Sequence, residues 1–327
     1  MLARADKIVV TGGAGFIGSH LVDRLLEEVP AKVLVFDNLS SGRLSNLSQC
    51  RPERIEFVHG DVRDAPALEE VLRGASVVYH LAAQRVTAGS RDTCDRGFAT
   101  NVVGTFNVLR AATRQTVRRV VFASSRDAYG EPMELPVDES HPLLAISCYG
   151  ASKIAGEAFC RAFRREFGLQ TVILRLSDVY GPRDWRQPIP AWLDLAAAGR
   201  NLDVYDGKQI VDLLWVGQAV EALIRAATIE ETLPPINVAS GTGTKILDVA
   251  RRITHLTEGR SHVNLLPAPP TQYRAEVSRF VAKVDRMRQL LHIEPPLDPL
   301  VHLPALFQRA RAEANGAADH ASAYVSR

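Results

Sequence analysis

Tyr149 and Lys153 stand four residues apart in YGASK, so a helix running through them sets a phenol and an ammonium on one face. A phenol with an ordinary pKa of about 10 is a poor base near neutrality. A cation held beside it favours the phenolate, which makes Tyr149, with Lys153, a candidate base toward a substrate hydroxyl. Ser124-Ser125 closes the β-branched run Arg118–Ser125, and the Ser125 hydroxyl can share the proton with Tyr149. Taken singly these features occur in many helices and strand ends, so they gain meaning only from the elements that bring them together.

A second motif supplies that context. Thr11-Gly12-Gly13-Ala14-Gly15-Phe16-Ile17-Gly18 follows the first β-branched run directly and opens an amphipathic stretch. Glycines at a strand-to-helix turn let the backbone approach a pyrophosphate, whose charge sits on the helix N-terminus. Gly12, Gly15, Phe16, Ile17 and Gly18 are therefore candidate cofactor contacts. The next strand ends at Asp37, where an acidic residue bonds ribose hydroxyls and repels the extra phosphate of NADP, so the expected cofactor is NAD. Asp61-Val62 ends the third strand, where the carboxylate can meet an adenine amino group and the valine can pack on the ring. Leu81, Ala82 and Ala83 end the fourth, with small side chains that let the chain pass close to the cofactor.

The elements that position these residues alternate. The pattern reads as strand Lys7–Thr11, helix Phe16–Glu28, strands Lys32–Asp37, Ile55–Asp61 and Ser76–Ala83, helix Gly97–Thr113, strand Arg118–Ser125, helix Tyr149–Phe167 stopped at Gly168, and strand Thr171–Leu176. This is a doubly wound, Rossmann-type α/β fold with a parallel sheet of at least six strands. Beyond Tyr180 the units shorten: helix Ile189–Ala198, strand Leu202–Tyr205, helix Gln218–Thr228, strand Ile236–Ala239 and helix Ile246–His255. The expected division is a cofactor domain over residues 1–175, with 210–238 contributing, and a smaller, irregular α/β substrate domain over 176–315. The Ala- and Ser-rich end from about Arg309 reads as a frayed tail, flexible over 316–327.

The chain has 327 residues, 46% of them hydrophobic, enough for a large core. Its 39 basic and 37 acidic residues give no global field for nucleic acid or an anionic membrane. No signal peptide or membrane-spanning run is apparent, and a cytoplasmic protein is expected. Cys50, Cys94, Cys148 and Cys160 lack metal-type pairing and read as small buried or half-exposed residues, although Cys148 adjoins Tyr149; no metal site is expected.

In this order, a glycine-rich turn, an acidic strand end, Ser-Ser and Y-x-x-x-K, the chain resembles the extended short-chain dehydrogenases/reductases. Within them it resembles the NAD-dependent epimerase/dehydratase family acting on nucleotide sugars. The motifs are TGGAGFIGSHL, DNLSSGRLSNL, GDV, HLAA, the Asn101 helix, SSRDAYG, YGASK and RLSDVYGPR, and DNLSSG is similar to the UDP-galactose 4-epimerase branch. The resemblance implies a catalytic set of Ser125, Tyr149 and Lys153, with Asn101 nearby in a structural or proton-relay role, cofactor contacts that include Asn38, Ser41, Gly42 and Asn101, and a homodimer formed through helices Gly97–Thr113 and Tyr149–Phe167. It also implies a nucleotide-sugar substrate, oxidised transiently at C4 and reduced from the other face, so that net redox is zero.

Similar 4,6-dehydratases carry a carboxylate pair just after the position of Ser125. Here the pair is Arg126-Asp127, and an arginine cannot donate the proton. Sugar-uronate decarboxylases keep only the second acid, so Asp127 leaves that reaction open, and Arg126 either grips a uronate carboxylate or is a surface or cofactor-phosphate contact. Epimerases usually have asparagine where Asp178 stands and arginine where Val211 stands, both binding the diphosphate, and the acidic pair that often follows is Gly217-Gln218 here. Arg183, Arg186 or Arg274 could compensate. The leading expectation is thus a nucleotide-sugar 4-epimerase, with a decarboxylase, dehydratase or ketoreductase as the alternative. A catalytically silent NAD-binding regulatory protein is a third reading, against which the intact Ser-Tyr-Lys set argues.

Overall fold

The computed structural model describes residues 7–48, 53–86, 90–184, 188–268 and 277–325, with side chains as far as 314. The first half builds β1 (Lys7–Thr11), α1 (Phe16–Glu28), β2 (Lys32–Asp37), β3 (Ile55–His59), α2 (Ala65–Val71), β4 (Val77–His80), α3 (Arg91–Gly97), a π-type turn (Phe98–Val103), α4 (Gly104–Arg114), β5 (Arg119–Ser125), α5 (Cys148–Phe167) and β6 (Gln170–Leu176). After it come β7 (Asp178–Tyr180), α6 (Pro188–Ala197), β8 (Leu202–Tyr205), β9 (Ile210–Trp215), α7 (Val216–Thr228), β10 (Ile236–Val238), β11 (Gly243–Lys245), α8 (Ile246–His255), β12 (Val263–Leu266), α9 (Asp285–Leu291) and α10 (Leu303–Val325).

Seven strands form one parallel sheet in the order β10-β6-β5-β4-β1-β2-β3. The order reverses between β1 and β4, which opens a crevice at their carboxyl ends, the place where such sheets hold ligands. β-branched runs such as Lys7-Ile-Val-Val-Thr11 are buried on both faces because helices cover each side. Leu21, Val22 and Leu25 of α1 pack with Val220 and Leu223 of α7 on one face; Val108 and Leu109 of α4 pack with Cys160 and Phe163 of α5 on the other. A third core gathers Trp192 and Leu193 of α6, Leu213 of β9, Val249 and Ile253 of α8, and Phe307 of α10.

The structure corrects several expected elements. Strands β3 and β4 stop at His59 and His80, short of Asp61 and Ala83, where the chain leaves the sheet to form the crevice rim. The expected helix Gly97–Thr113 starts earlier, because Ser90 caps α3 by accepting the N–H of Thr93 at 3.3 Å. Helix α2 went unpredicted although Asp64 caps it with a bond from Ala67 at 3.1 Å. The Arg309 tail is instead part of α10, which is helical through Val325 and buries Phe307 and Ala310.

Candidate active site

A cavity of about 330 Å³ lies in the crevice and carries most of the residues selected from sequence. At its floor, Gly12 has φ +75°, and a Cβ there would sit 2.7 Å from the Ala82 nitrogen. A Cβ on Gly18 would lie 2.2 Å from the Gly12 carbonyl, so only glycine lets α1 approach the turn. α1 begins after Gly15 with no side chain capping its first turn, which leaves its positive end turned to the cavity for an anion. Phe16, Ile17, Ser41 and Gly42 line the same region.

Asp37, 7% exposed, holds its place through backbone N–H bonds, Leu39 to Oδ1 at 2.8 Å and Ala14 to Oδ2 at 3.0 Å. Burial pushes its carboxyl above the usual range while those bonds pull the other way. Each oxygen accepts only one of these bonds, so the carboxylate, which lines the cavity, keeps acceptor capacity for a ribose diol.

Asp61, expected to meet the adenine, is not among the residues lining the cavity. Arg63 takes it as a fork, with Nη2 at 2.7 Å and Nε at 2.9 Å, and Asn38 donates to it at 2.7 Å. Arg63 and Asn38 hold its carboxyl down at about 2. Asn38, Gly60 and Val62 reach the cavity instead.

Leu81, Ala82 and Ala83 form the facing wall. Behind them His80 is 1% exposed, bonded to Thr11 at 2.7 Å through Nδ1 and to Thr105 at 2.9 Å through Nε2. Thr105 gives its proton to the Asn101 carbonyl at 2.6 Å, so it accepts from Nε2–H and Nδ1 accepts from Thr11. Burial lowers His80 to about 3, which keeps the ring neutral. Asn101 likewise supports this wall and is not among the residues lining the cavity. Its amide, 2% exposed, bonds the Gln84 backbone in both senses, at 2.7 and 2.9 Å, and Ser152 at 2.9 Å.

At the far end stand Ser125, Tyr149 and Lys153. Ser147 caps α5 through Gly150 N–H at 3.1 Å, and left-handed Gly168 ends it. Lys153, 4% exposed, donates to the Ala123 carbonyl at 2.8 Å and lies 5.5 Å from the Tyr149 ring centre and 5.1 Å from that of Phe122. Burial lowers its ammonium to about 8. Burial raises the Tyr149 phenol, and Asp127 adds to this while Arg85 opposes it. Ser125 accepts the Asp127 N–H at 3.1 Å, leaving its own proton to donate. One turn further along α5, fully buried Glu157 receives Ser124 at 2.7 Å and a bidentate Arg175 at 2.7 and 2.8 Å. Burial works to raise this carboxyl, yet Arg175 and Ser124 hold it below the usual range. Arg175 continues to Tyr129 at 2.8 Å and Tyr129 to Asn237 at 2.6 Å, which pins α5 to β5, β6 and β10.

Asp178, the departure expected to repel a diphosphate, is paired. Arg126 meets Asp178 with Nε to Oδ2 at 2.9 Å and Nη2 to Oδ1 at 3.1 Å, and it stacks 5.6 Å from the Phe280 ring centre. Both side chains line the cavity, as does Asp127. Val211 pairs with Thr244 across β9 and β11, next to Asp212, a wholly buried clamp on Ser240, Gly241 and Ala282 that burial raises to about 6. Arg183, expected to help hold the substrate, lines a smaller neighbouring cavity instead, and its guanidinium pairs with Asp23 of α1 at 2.7 Å. Arg186 and Arg274 lie outside the described residues. The cavity also takes in Arg85, Thr100, Ser177 and Asp184, which sequence reasoning missed. Arg85 was findable, two residues past Ala83 on the same strand exit.

A glycine turn at the switch point of a parallel sheet, an acidic β2 end and a Ser-Tyr-Lys set on one cavity define an NAD-dependent oxidoreductase-type enzyme. The profile of the NAD dependent epimerase/dehydratase family matches residues 8–239, and the chain belongs to that family, with NAD as its cofactor. It is 36% identical over 255 residues to a putative UDP-glucose 4-epimerase of Methanocaldococcus jannaschii, covering 76% of this chain and 81% of that one. It is 30% identical over 322 residues to UDP-glucuronic acid decarboxylase 3 of Arabidopsis thaliana, covering 94% and 90%. The crystal structure of the Thermotoga maritima UDP-glucose 4-epimerase with UDP-glucose superposes with a TM-score of 0.85 at 28% identity, covering 94% and 99%. Among the described residues no helix is long and apolar enough to cross a membrane.

Proposed function

We propose that the chain is a nucleotide-sugar 4-epimerase acting on a UDP-hexose or UDP-hexuronate. The observation that carries this reading is that Ser125, Tyr149 and Lys153 share one cavity in which position 126 offers a guanidinium held by Asp178 and no acid to expel water. The Gly12–Gly18 turn and the start of α1 hold the cofactor pyrophosphate, and Asp37 and Asn38 the ribose end. NAD, when bound, supplies a reversible hydride acceptor. Tyr149 removes the proton of the sugar hydroxyl, Ser125 shares it, and Lys153 supplies a positive charge that favours the phenolate against the rise burial imposes. Arg85, with its charge on the same cavity, opposes the rise that Asp127 imposes on Tyr149.

A second reading, sugar-uronate decarboxylation, is favoured by the Asp127 carboxyl on the cavity wall beside Arg126 and by the decarboxylase likeness over most of the chain. Incubation with UDP-glucose, UDP-galactose, UDP-glucuronate and dTDP-glucose, followed by chromatography, separates the two. An epimer supports the first; a UDP-pentose with carbon dioxide supports the second; no product from any of them refutes both and favours a silent NAD-binding protein.

Residues 1–175 with 210–238 serve the cofactor and 176–315 the substrate in this reading. Exposed Phe98, Val103 and Phe167 on the α3–α4 run and α5 support a homodimer through those helices, and the balanced charge and absence of an apolar run support a cytoplasmic protein that binds neither nucleic acid nor membrane.

A further inference from the structure

Cys94 of α3 and Cys148, the first residue of α5, bring their sulfurs to 2.6 Å of each other. Two thiols do not rest this close by packing alone, and a disulfide needs a further approach of only about half an ångström, to roughly 2.05 Å. Cys148 is exposed and Cys94 half-buried, so a small reagent reaches the pair; Cys160, the other cysteine described, is fully buried in the core between α5 and the sheet. The neighbourhood is built and not accidental. Ser90 caps α3 and also accepts the Cys94 N–H at 3.1 Å, Ser147 caps α5 directly before Cys148, and α3 packs on α5.

From this geometry we infer a modification site: Cys94 and Cys148 form a reversible intramolecular disulfide that staples the cavity wall to the helix carrying Tyr149 and Lys153. The helical run from α3 carries Asn101, which holds Gln84, the neighbour of Arg85, and Ser152, the neighbour of Lys153. The staple therefore closes a frame whose other joint is Asn101. A small-molecule disulfide of the glutathione type is the oxidant. Exposed Cys148, as thiolate, attacks one of its sulfurs, forming a mixed disulfide and releasing one thiol. Cys94 then attacks the Cys148 sulfur, forming the protein disulfide and releasing the second thiol. The protein loses two electrons and two protons, and the reagent gains both. The sulfurs are already adjacent, so oxidation stiffens this wall without rearranging it.

The test is non-reducing peptide mapping of the purified holoprotein after equilibration with glutathione disulfide. Trypsin places Cys94 in Asp92–Arg96 and Cys148 in Asp127–Lys153, with Cys160 in a different peptide. The expected result is a cross-linked Asp92–Arg96/Asp127–Lys153 species, lost on treatment with dithiothreitol. A higher unfolding temperature for the oxidised than for the reduced protein should accompany it, and Cys94→Ser and Cys148→Ser should each abolish that difference. Full alkylation of both cysteines after oxidation, a stable glutathione adduct on Cys148 alone, or a link between two copies of the chain overturns the inference. An unfolding temperature unchanged by a confirmed Cys94–Cys148 link overturns the staple.

Discussion

The Arg126–Asp178 pair can be weighed by a double-mutant cycle. The fork is bidentate at 2.9 and 3.1 Å, with side chains 14% and 21% exposed. Hydrogen bonds to charged groups contribute about 1.5–3 kcal/mol each when well desolvated, and partial exposure reduces this, so the coupling should be about 2 kcal/mol. Arg126→Leu leaves Asp178 in the cavity wall with Asp127 nearby as a like charge, and should cost about 2–4 kcal/mol, somewhat below the range for a fully buried broken pair. Asp178→Asn should cost less, because the amide oxygen still accepts from the guanidinium. The double variant should then be more stable than the sum of the single losses predicts, by the coupling energy.

Urea unfolding of the four proteins at saturating NAD, compared at equal slopes, reads the cycle directly. Losses that add to within about 0.5 kcal/mol would refute the pairing argument. Asp178→Asn has a kinetic arm as well. Removing a negative charge from the cavity should lower KM for a UDP-sugar by roughly three- to tenfold, equivalent to about 1 kcal/mol of relieved repulsion. A raised KM would mean that Asp178 itself binds the sugar.

Tyr149→Phe should lower kcat by roughly 10²–10⁴-fold while NAD remains in the purified protein, read by turnover and by absorbance after denaturation. Burial lowers Lys153 from an unfolded value near 10.5 to about 8, so as pH rises the folded protein releases this proton before the unfolded one does, and stability is gained between pH 8 and 10.5. The stability of wild type relative to Lys153→Met should accordingly rise across that window by up to about 3 kcal/mol, and a flat difference in urea titrations would contradict the burial argument. Glu157→Ala strands the Arg175 guanidinium, 4% exposed as a residue, and should cost about 3–5 kcal/mol in calorimetry or urea unfolding; Glu157→Gln should cost less.

What could be read from the sequence was whatever is settled within a few residues. The Gly12–Gly18 turn, Asp37 at the end of β2 and Tyr149/Lys153 on one helix face follow from spacing alone, and the structure sets all of them on one cavity. Asp61, Asn101 and Arg183 sit where the motifs put them, but their side chains choose partners that spacing does not reveal: Arg63 and Asn38, Gln84 and Ser152, Asp23. Arg126 and Asp178, 52 residues apart, are joined only once β5 and β6 lie side by side and β7 follows β6. Cys94 and Cys148, 54 apart, meet only when α3 packs on α5. Helix α2 is a different case: Asp64 and Pro66 are local signals for its start, a cap and a proline in the first turn.

The same long-range pairing changes what the two departures from the family pattern mean. Read separately, the arginine after Ser125 removes the acid a dehydratase needs and the aspartate in RLSDVYGPR repels a diphosphate. Read together they form a pair, with Asp127 at the edge of the same guanidinium, 3.6 Å from Arg126 Nη1, so the wall formed by Arg85, Arg126, Asp127 and Asp178 carries two charges of each sign and no net charge. Arg85 and Asp127 act in opposite directions on the Tyr149 phenol. Oxidation needs the phenol to take a proton, and decarboxylation or dehydration needs a carboxyl to move one. On this wall the choice between reactions therefore rests on whether Asp127 reaches the substrate or only tunes Tyr149. Asp127→Asn discriminates: if the residue only tunes, the variant should keep its activity and shift the limb of the pH profile that reports Tyr149 to lower pH, whereas loss of turnover at every pH would make Asp127 a proton-transfer group.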